Sequence, residues 1–185
     1  MSQSRHHGTR SPEPSVLDLA RSLPDAPRDV LDLAAGSGRN TLPFLARGDR
    51  VVAVDRDAGA LQELSTRAAS EAIGQLECRN ADLENAPWPL AERRFDVIVV
   101  INYLWRPLLP AITDSLAPGG VLLYETFAIG NEQYGRPRNP DFLLQTDELR
   151  VFASSRPELQ ELEFWQGTVG EPVRAVRQRL RVRRS

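Results

Sequence analysis

Two acidic residues at the ends of short apolar runs are the side chains of this sequence best suited to chemistry. Asp32 lies in Val30-Leu-Asp-Leu-Ala-Ala-Gly-Ser-Gly-Arg-Asn40, an apolar run that breaks into a small-residue turn at Gly36 and Gly38. Nineteen residues after Gly36, the run Arg50-Val-Val-Ala-Val54 ends in Asp55. One carboxylate accepts two hydrogen bonds, enough for both hydroxyls of a ribose. Glycine lets backbone approach a ligand where a Cβ would collide. Two such strand tips separated by one helix make an edge for a ribose and an adenine. A dinucleotide fold has the same outline, but carries Gly-x-Gly-x-x-Gly so that a pyrophosphate rests on a helix N-terminus. Here Gly36-Ser37-Gly38 runs on into Arg39, Asn40 and Thr41. The acid four residues before Gly36 suits a ligand with an ammonium group and opposes a pyrophosphate. A strand-to-helix loop that binds nothing is the third reading of the same residues.

S-Adenosylmethionine combines an ammonium, a sulfonium, a ribose and an adenine, and so answers both acids. Asp32-Leu-Ala-Ala-Gly-Ser-Gly-Arg-Asn40, followed by Val51-Val-Ala-Val-Asp-Arg-Asp57, resembles the first two motifs of class I S-adenosylmethionine-dependent methyltransferases. The Gly38-Arg-Asn-Thr41 ending resembles the tellurite-resistance-type small-molecule methyltransferases. The resemblance covers residues 14 to 183. It implies S-adenosylmethionine as cofactor and methyl transfer to a small-molecule acceptor, with a tRNA or protein methyltransferase and a non-catalytic S-adenosylmethionine-binding module as the alternatives; the lone Cys78 leaves no zinc cluster, and no metal is expected. It further implies that Asp32 accepts from the methionine ammonium, directly or through water, and that Ala34, Gly36, Ser37, Gly38 and Asn40 surround the methionine and ribose. Asp55 then takes the ribose hydroxyls and Arg56 lies along the adenine. Asp82 accepts from the adenine amine beside the Leu83 amide, although an Asx-turn also explains an aspartate there. Asn102 and Tyr103 fall where this family shapes the region around the transferred methyl. Enzymes of the family that methylate amino groups of nucleic acids carry an acid or Asn, two prolines and an aromatic residue there. Asn102-Tyr-Leu-Trp105 keeps only the Asn, which opposes base methylation. Trp105 and Arg106 are left to floor an acceptor pocket, or Trp105 to pack a helix on the core.

These residues need a scaffold that brings strand ends together. Hydrophobic periodicity and turn signals predict strands at 29–34, 50–55, 75–79, 95–101, 121–127, 159–166 and 173–183. Helices are expected at 15–22, 38–47, 57–72, 105–116 and 146–153, with Ser15 and Thr146 as N-caps. Ala117-Pro-Gly-Gly120 reads as a turn. The pattern gives an α/β fold: a single doubly wound, Rossmann-like seven-stranded sheet, mostly parallel with an antiparallel C-terminal strand and helices on both faces. Asp32, Asp55, Asp82 and Asn102 then fall at or just past carboxyl ends of strands, where open sheets bind ligands. The loop 128–145 leaves the same edge. Its Tyr134, Arg136, Arg138 and Asn139 suit an anionic or planar acceptor, unless it is a surface Ω-loop. A thiolate, soft anion or free amine needs no general base. For a hydroxyl or protonated amine the candidate catalytic residues are Tyr103, Glu125 and the tail histidines His6 and His7.

Composition sets the remaining bounds. The chain has 185 residues, 41% of them hydrophobic, which fits one folded domain over 13–185 behind a flexible tail at 1–12. No apolar run reaches the roughly 20 residues of a membrane helix, and no secretory signal is visible. A cytoplasmic bacterial protein, monomeric or homodimeric, is expected. The single cysteine, Cys78, allows no internal disulfide. All 23 Lys or Arg residues are arginine, as a GC-rich genome would produce, and the net charge of −2 argues against a nucleic-acid partner. The alternating arginines of Arg174–Arg184 are expected to line one solvated face.

Overall fold

The computed structural model describes residues 11–71, 74–170 and 174–185; His6 and His7 lie outside them. Five strands run parallel: β1 (Asp29–Leu33), β2 (Arg50–Asp55), β3 (Gln75–Asn80), β4 (Phe95–Ile101) and β5 (Leu116–Phe127). They are followed by β6 (Leu159–Val169) and β7 (Ala175–Arg184). The strand order is β3-β2-β1-β4-β5-β7-β6, with β7 antiparallel to both its neighbours. The order reverses between β1 and β4, and that switch point opens a crevice at the carboxyl edge.

The continuous apolar run of β4 divides between two cores because strand side chains alternate faces. Val97, Val99 and Ile101 pack with Val16 and Leu19 of α1 (Pro14–Ser22) and Phe44 of α2 (Leu42–Ala46). Leu61 and Leu64 of α3 (Ala58–Glu71) close the same face over Ala35 and Ala53. Ile98 and Val100 face the other way, toward Ile112 of α4 (Leu109–Asp114) and Leu149 of α5 (Glu148–Ser154).

Several local expectations are corrected. Ser15 does not cap α1: Glu13 is the N-cap residue, Pro14 opens the helix, and the Ser15 hydroxyl donates to Glu125 at 2.6 Å. α2 starts at Leu42, four residues later than expected, because Gly38 through Thr41 form turns ahead of it. The expected helix at 105–116 splits into a 3₁₀ turn, Arg106–Leu108, and the short α4. The segment 117–120 belongs to β5 as a bulge, since Phe95 pairs with Leu116 and Val97 with Val121. Thr146 gives way to Asp147 as the N-cap residue of α5. The loop 128–145 is built from 3₁₀ turns at Asn131–Gln133 and Pro140–Phe142 and a bridge between Ala128 and Leu144.

The β7 arginines also depart from the solvated face expected of them. Glu125, 2% exposed, accepts from Arg177 at 2.7 Å, from Arg179 at 2.8 Å and from Ser15. Arg177 also reaches Glu13 at 3.3 Å, and Arg179 reaches Glu163. Paired charges bury this part of the sheet beside the N-terminal end of α1. This network joins α1 to β5 and β7. We predict that Glu125→Ala, which leaves Arg177 buried without its principal partner, destabilises the fold by about 3–5 kcal/mol in urea titration. A loss below about 1 kcal/mol would reduce the network to the status of a surface ion pair.

Candidate functional site

The turn after β1 is shaped by three positive φ angles in alternation: Ala34 at 54°, Gly36 at 55° and Gly38 at 80°. Gly38 has no alternative, because a Cβ there would lie 2.2 Å from Leu64 Cδ1. Gly36 is different: space opens where its Cβ would stand, with nothing within 4 Å. Its backbone amide donates to Asp55 at 2.7 Å, which locks the turn to the tip of β2. Asp55 also accepts from the Asp57 amide at 2.9 Å. A non-glycine residue at positive φ stores strain, and such strain gathers at functional sites. Of three such residues described, Ala34 and Asn102 (φ 59°) both follow strands that end at this crevice.

Asp32 is 1% exposed, and its one side-chain partner among the described residues is the Thr41 hydroxyl at 2.6 Å. Burial pushes its carboxyl up to about 7, with the neighbouring Asp55 adding to the rise and Thr41 opposing it. The site therefore holds a carboxylate poised to ionise once a cation arrives.

Asp55, Arg56, Asp82, Leu83 and Tyr103 come together with Ala34, Ala81 and Glu84 around a cavity of about 160 Å³. Asp82 makes the Asx-turn that was its alternative explanation. It accepts from the Glu84 amide at 2.9 Å and from the Asn85 side chain and amide, and these bonds hold its carboxyl below the usual range. It lines the cavity nonetheless. The Tyr103 hydroxyl is buried without a hydrogen-bond partner among the described residues. Burial and the carboxylates of Glu84 and Asp82 make the hydroxyl harder to deprotonate, so it remains a protonated donor at neutral pH. Tyr124 fixes it from behind by donating to the Tyr103 carbonyl at 3.0 Å.

Other expected residues turn out to be braces. Asn40 is 6% exposed and its side-chain oxygen accepts from the Glu13 amide, tying α1 to the glycine turn. Arg39 adds an ion pair to Glu13 at 2.8 Å. Ser37 is half-buried in the same turn. Asn102 accepts from Arg177 and donates its backbone amide to the Glu125 carbonyl. Two nominations are corrected. Glu125 is saturated by three donors that keep it ionised despite its burial, so it does not serve as a free general base. Arg106 spends its guanidinium on Glu148 and on the carbonyls of Asp141 and Leu143, which clasps the loop to α5 rather than reading an acceptor. Trp105 packs half-buried against the core. Tyr134 and Arg136 are exposed, and Arg136 lines a shallow depression that shares no residue with the 160 Å³ cavity.

Thr41, Ala81, Glu84 and Arg177 were not read from the sequence. Ala81 and Glu84 flank the Asp82-Leu83 pair and could have been found by proximity. Thr41 and Arg177 act through contacts nine and seventy-five residues away in the chain.

Residues 30–120, just under half of the chain, match a sequence profile described as a methyltransferase domain. The matched stretch spans the sheet from β1 into β5, including every strand tip of the crevice. Residues 30–120 are thus similar to a methyltransferase domain. The solved structure of TehB from Haemophilus influenzae is similar to it, with a TM-score of 0.75 and 21% identity over 92% of this chain and 62% of that one. So is coclaurine N-methyltransferase bound to N-methylheliamine and SAH, with a TM-score of 0.68 and 14% identity over 92% and 72%. The Mycobacterium tuberculosis protein Rv1405c is 33% identical over 98 residues, half of this chain and 35% of that protein. The chain thus matches only about a third of the length of this curated relative.

Asp32 carries a stability signature. Its folded value near 7 exceeds the ordinary 3.8, so the folded chain keeps a proton that the unfolded chain releases between those values. Stability from this group is full at low pH and is lost as pH rises toward 7. We predict that Asp32→Asn is more stable than the parent at pH 8 by at least about 1 kcal/mol, an advantage that vanishes toward pH 4. Urea titrations showing a pH-independent difference would refute the raised carboxyl.

Proposed function

We propose that this protein transfers a methyl group from S-adenosylmethionine to a small-molecule acceptor. The observation that carries the proposal is Asp32, buried and without an ion-pair partner among the described residues, in a glycine turn that is bonded to Asp55 through Gly36. A buried carboxylate with only a neutral hydroxyl for company fits an ammonium group.

The assigned roles follow from reach. Asp32 receives the methionine ammonium, and the open space at Gly36 admits the methionine and ribose beside the turn. Asp55 keeps lone pairs free beyond its two backbone bonds and takes the ribose hydroxyls. Arg56, Asp82, Leu83 and Tyr103 enclose the base, with the unpartnered Tyr103 hydroxyl donating to the nucleoside. Tyr103 thereby moves from the acceptor side to the nucleoside side of the crevice. When bound, the cofactor supplies an electrophilic methyl and a sulfur that leaves as a neutral thioether. What remains for the protein is alignment and exclusion of water. An acceptor that reacts as a thiolate, soft anion or free amine needs no base. With Glu125 ion-paired and Tyr103 held protonated, this class of acceptor fits the site best. Trp105 and the loop residues Tyr134 and Arg136 remain candidates for contacts at the acceptor entrance. No described helix is long and apolar enough to cross a membrane, in keeping with a cytoplasmic enzyme.

The test combines binding and turnover. Asp55→Ala is expected to weaken S-adenosylhomocysteine binding at least tenfold, about 1.4 kcal/mol, by calorimetry, with an unchanged circular dichroism spectrum. Labelled methyl should pass to thiol or amine acceptors in a screened panel. Unchanged affinity would remove Asp55 from the site. Tight binding without turnover across the panel would make the domain a nucleoside sensor instead.

A further inference from the structure

The opposite edge of the sheet, away from the carboxyl-end crevice, holds a second and larger concavity. It measures about 640 Å³ and lies between the C-terminal end of α1 and the ends of β4, β5 and β7. That volume is in the range of small-molecule sites. Its floor is apolar, from Leu23, Val97 and Val121, with Leu162 at 37% exposure on its rim. The β5 bulge supplies a wall: Pro118 and Gly119 are pushed out of register beside the groove. Bulges re-aim backbone next to binding sites more often than elsewhere in a sheet.

Three arginines converge on this apolar floor. Arg28 and Arg181 each have a buried Nε without a hydrogen-bond partner, two of only three such side-chain atoms among the described residues. Arg183 and the Arg28 guanidinium enter no ion pair among those residues, and Arg181 has one contact, to Glu163 at 3.3 Å. The acid in the groove, Asp96, is engaged by the Asp29 amide at 3.0 Å. Buried donors are normally satisfied, and a guanidinium matches a planar or tetrahedral oxyanion. The rest of β7 shows the contrast: Arg177 and Arg179 have carboxylate partners, and the positive charge left over collects at this end of the strand.

We propose that this groove is a second binding site, separate from the methyl-transfer crevice, for a small oxyanion joined to an apolar body, such as an alkyl carboxylate or alkyl phosphate. The oxyanion sits against Arg28, Arg181 and Arg183, and the apolar body lies along Leu23, Val97 and Leu162. The test uses octanoate and octyl phosphate as the two oxyanion probes and octanol as the neutral control. Binding is followed by calorimetry and by the arginine Nε–Hε resonances in ¹⁵N spectra. At least one oxyanion is expected to shift the Arg28 and Arg181 resonances and to bind at least about tenfold more tightly than octanol. The double variant Arg28→Gln, Arg183→Gln should lose about tenfold in that affinity while keeping its affinity for S-adenosylhomocysteine, which also reports an intact fold. The proposal is overturned if neither oxyanion shifts these resonances at millimolar concentration, or if octanol binds equally well. It is also overturned if sedimentation shows a second copy of the chain covering the groove and the probes without effect.

Discussion

Asp32 is a carboxylate almost wholly removed from water and opposed by one neutral hydroxyl. An ion in that setting carries a desolvation penalty of several kcal/mol. The protein tolerates it by letting the group keep its proton near neutrality. This single cost orders the rest of the site. The glycine turn bends around the tip of β1 because Gly38 packs where Leu64 permits no side chain, and Gly36 hands its amide to Asp55. Two carboxylates from neighbouring strands are thus held by short local bonds, one protonated and buried, the other bonded to backbone. The proposed cationic nucleoside would resolve both conditions in one binding event.

Much of the remaining structure serves to keep that turn in place. α1 is tied to it by Asn40 and Arg39 through Glu13, and Glu13 continues to Arg177 on β7. Arg177 in turn meets Glu125 and Asn102, the residue after β4. A single polar chain therefore runs from the glycine turn, across the α1 N-terminus, to the strand that ends opposite the cofactor side. It lies between the N-terminal end of α1 and the sheet, and its ion pairs are coupled through Glu125. Removal of that one carboxylate would leave two guanidinium groups without their main partner.

The fold was legible because β-strand and helix periods alternate cleanly along the chain, and β4 reads as a strand buried on both faces. Asp32, Gly36, Gly38 and Asp55 were legible because their spacing is local. What failed was mostly cap chemistry and long-range pairing. Ser15 and Thr146 look like caps in sequence, yet a buried partner, Glu125, claims the first, and the left-handed Asp147 displaces the second. Glu125 looked like a base because it ends an apolar strand. Its role was decided by Arg177 and Arg179, about fifty residues later, and no local pattern announces that pairing. Arg106 misled for the same reason, since its partners lie 35 to 42 residues further along the chain, in the loop and at the start of α5. The β7 arginines alternate as a solvated face would, but the acids that bury them come from β5, β6 and the start of α1.

The most direct measurement is a calorimetric titration of the unmodified protein with S-adenosylhomocysteine and its des-amino analogue between pH 6 and pH 8. If Asp32 must surrender its proton to pair with the ligand ammonium, affinity for S-adenosylhomocysteine falls as pH drops below 7, approaching about tenfold per unit. The des-amino analogue, with no cation to offer, shows no such loss. The same pH dependence for both ligands, or none for either, would contradict the account.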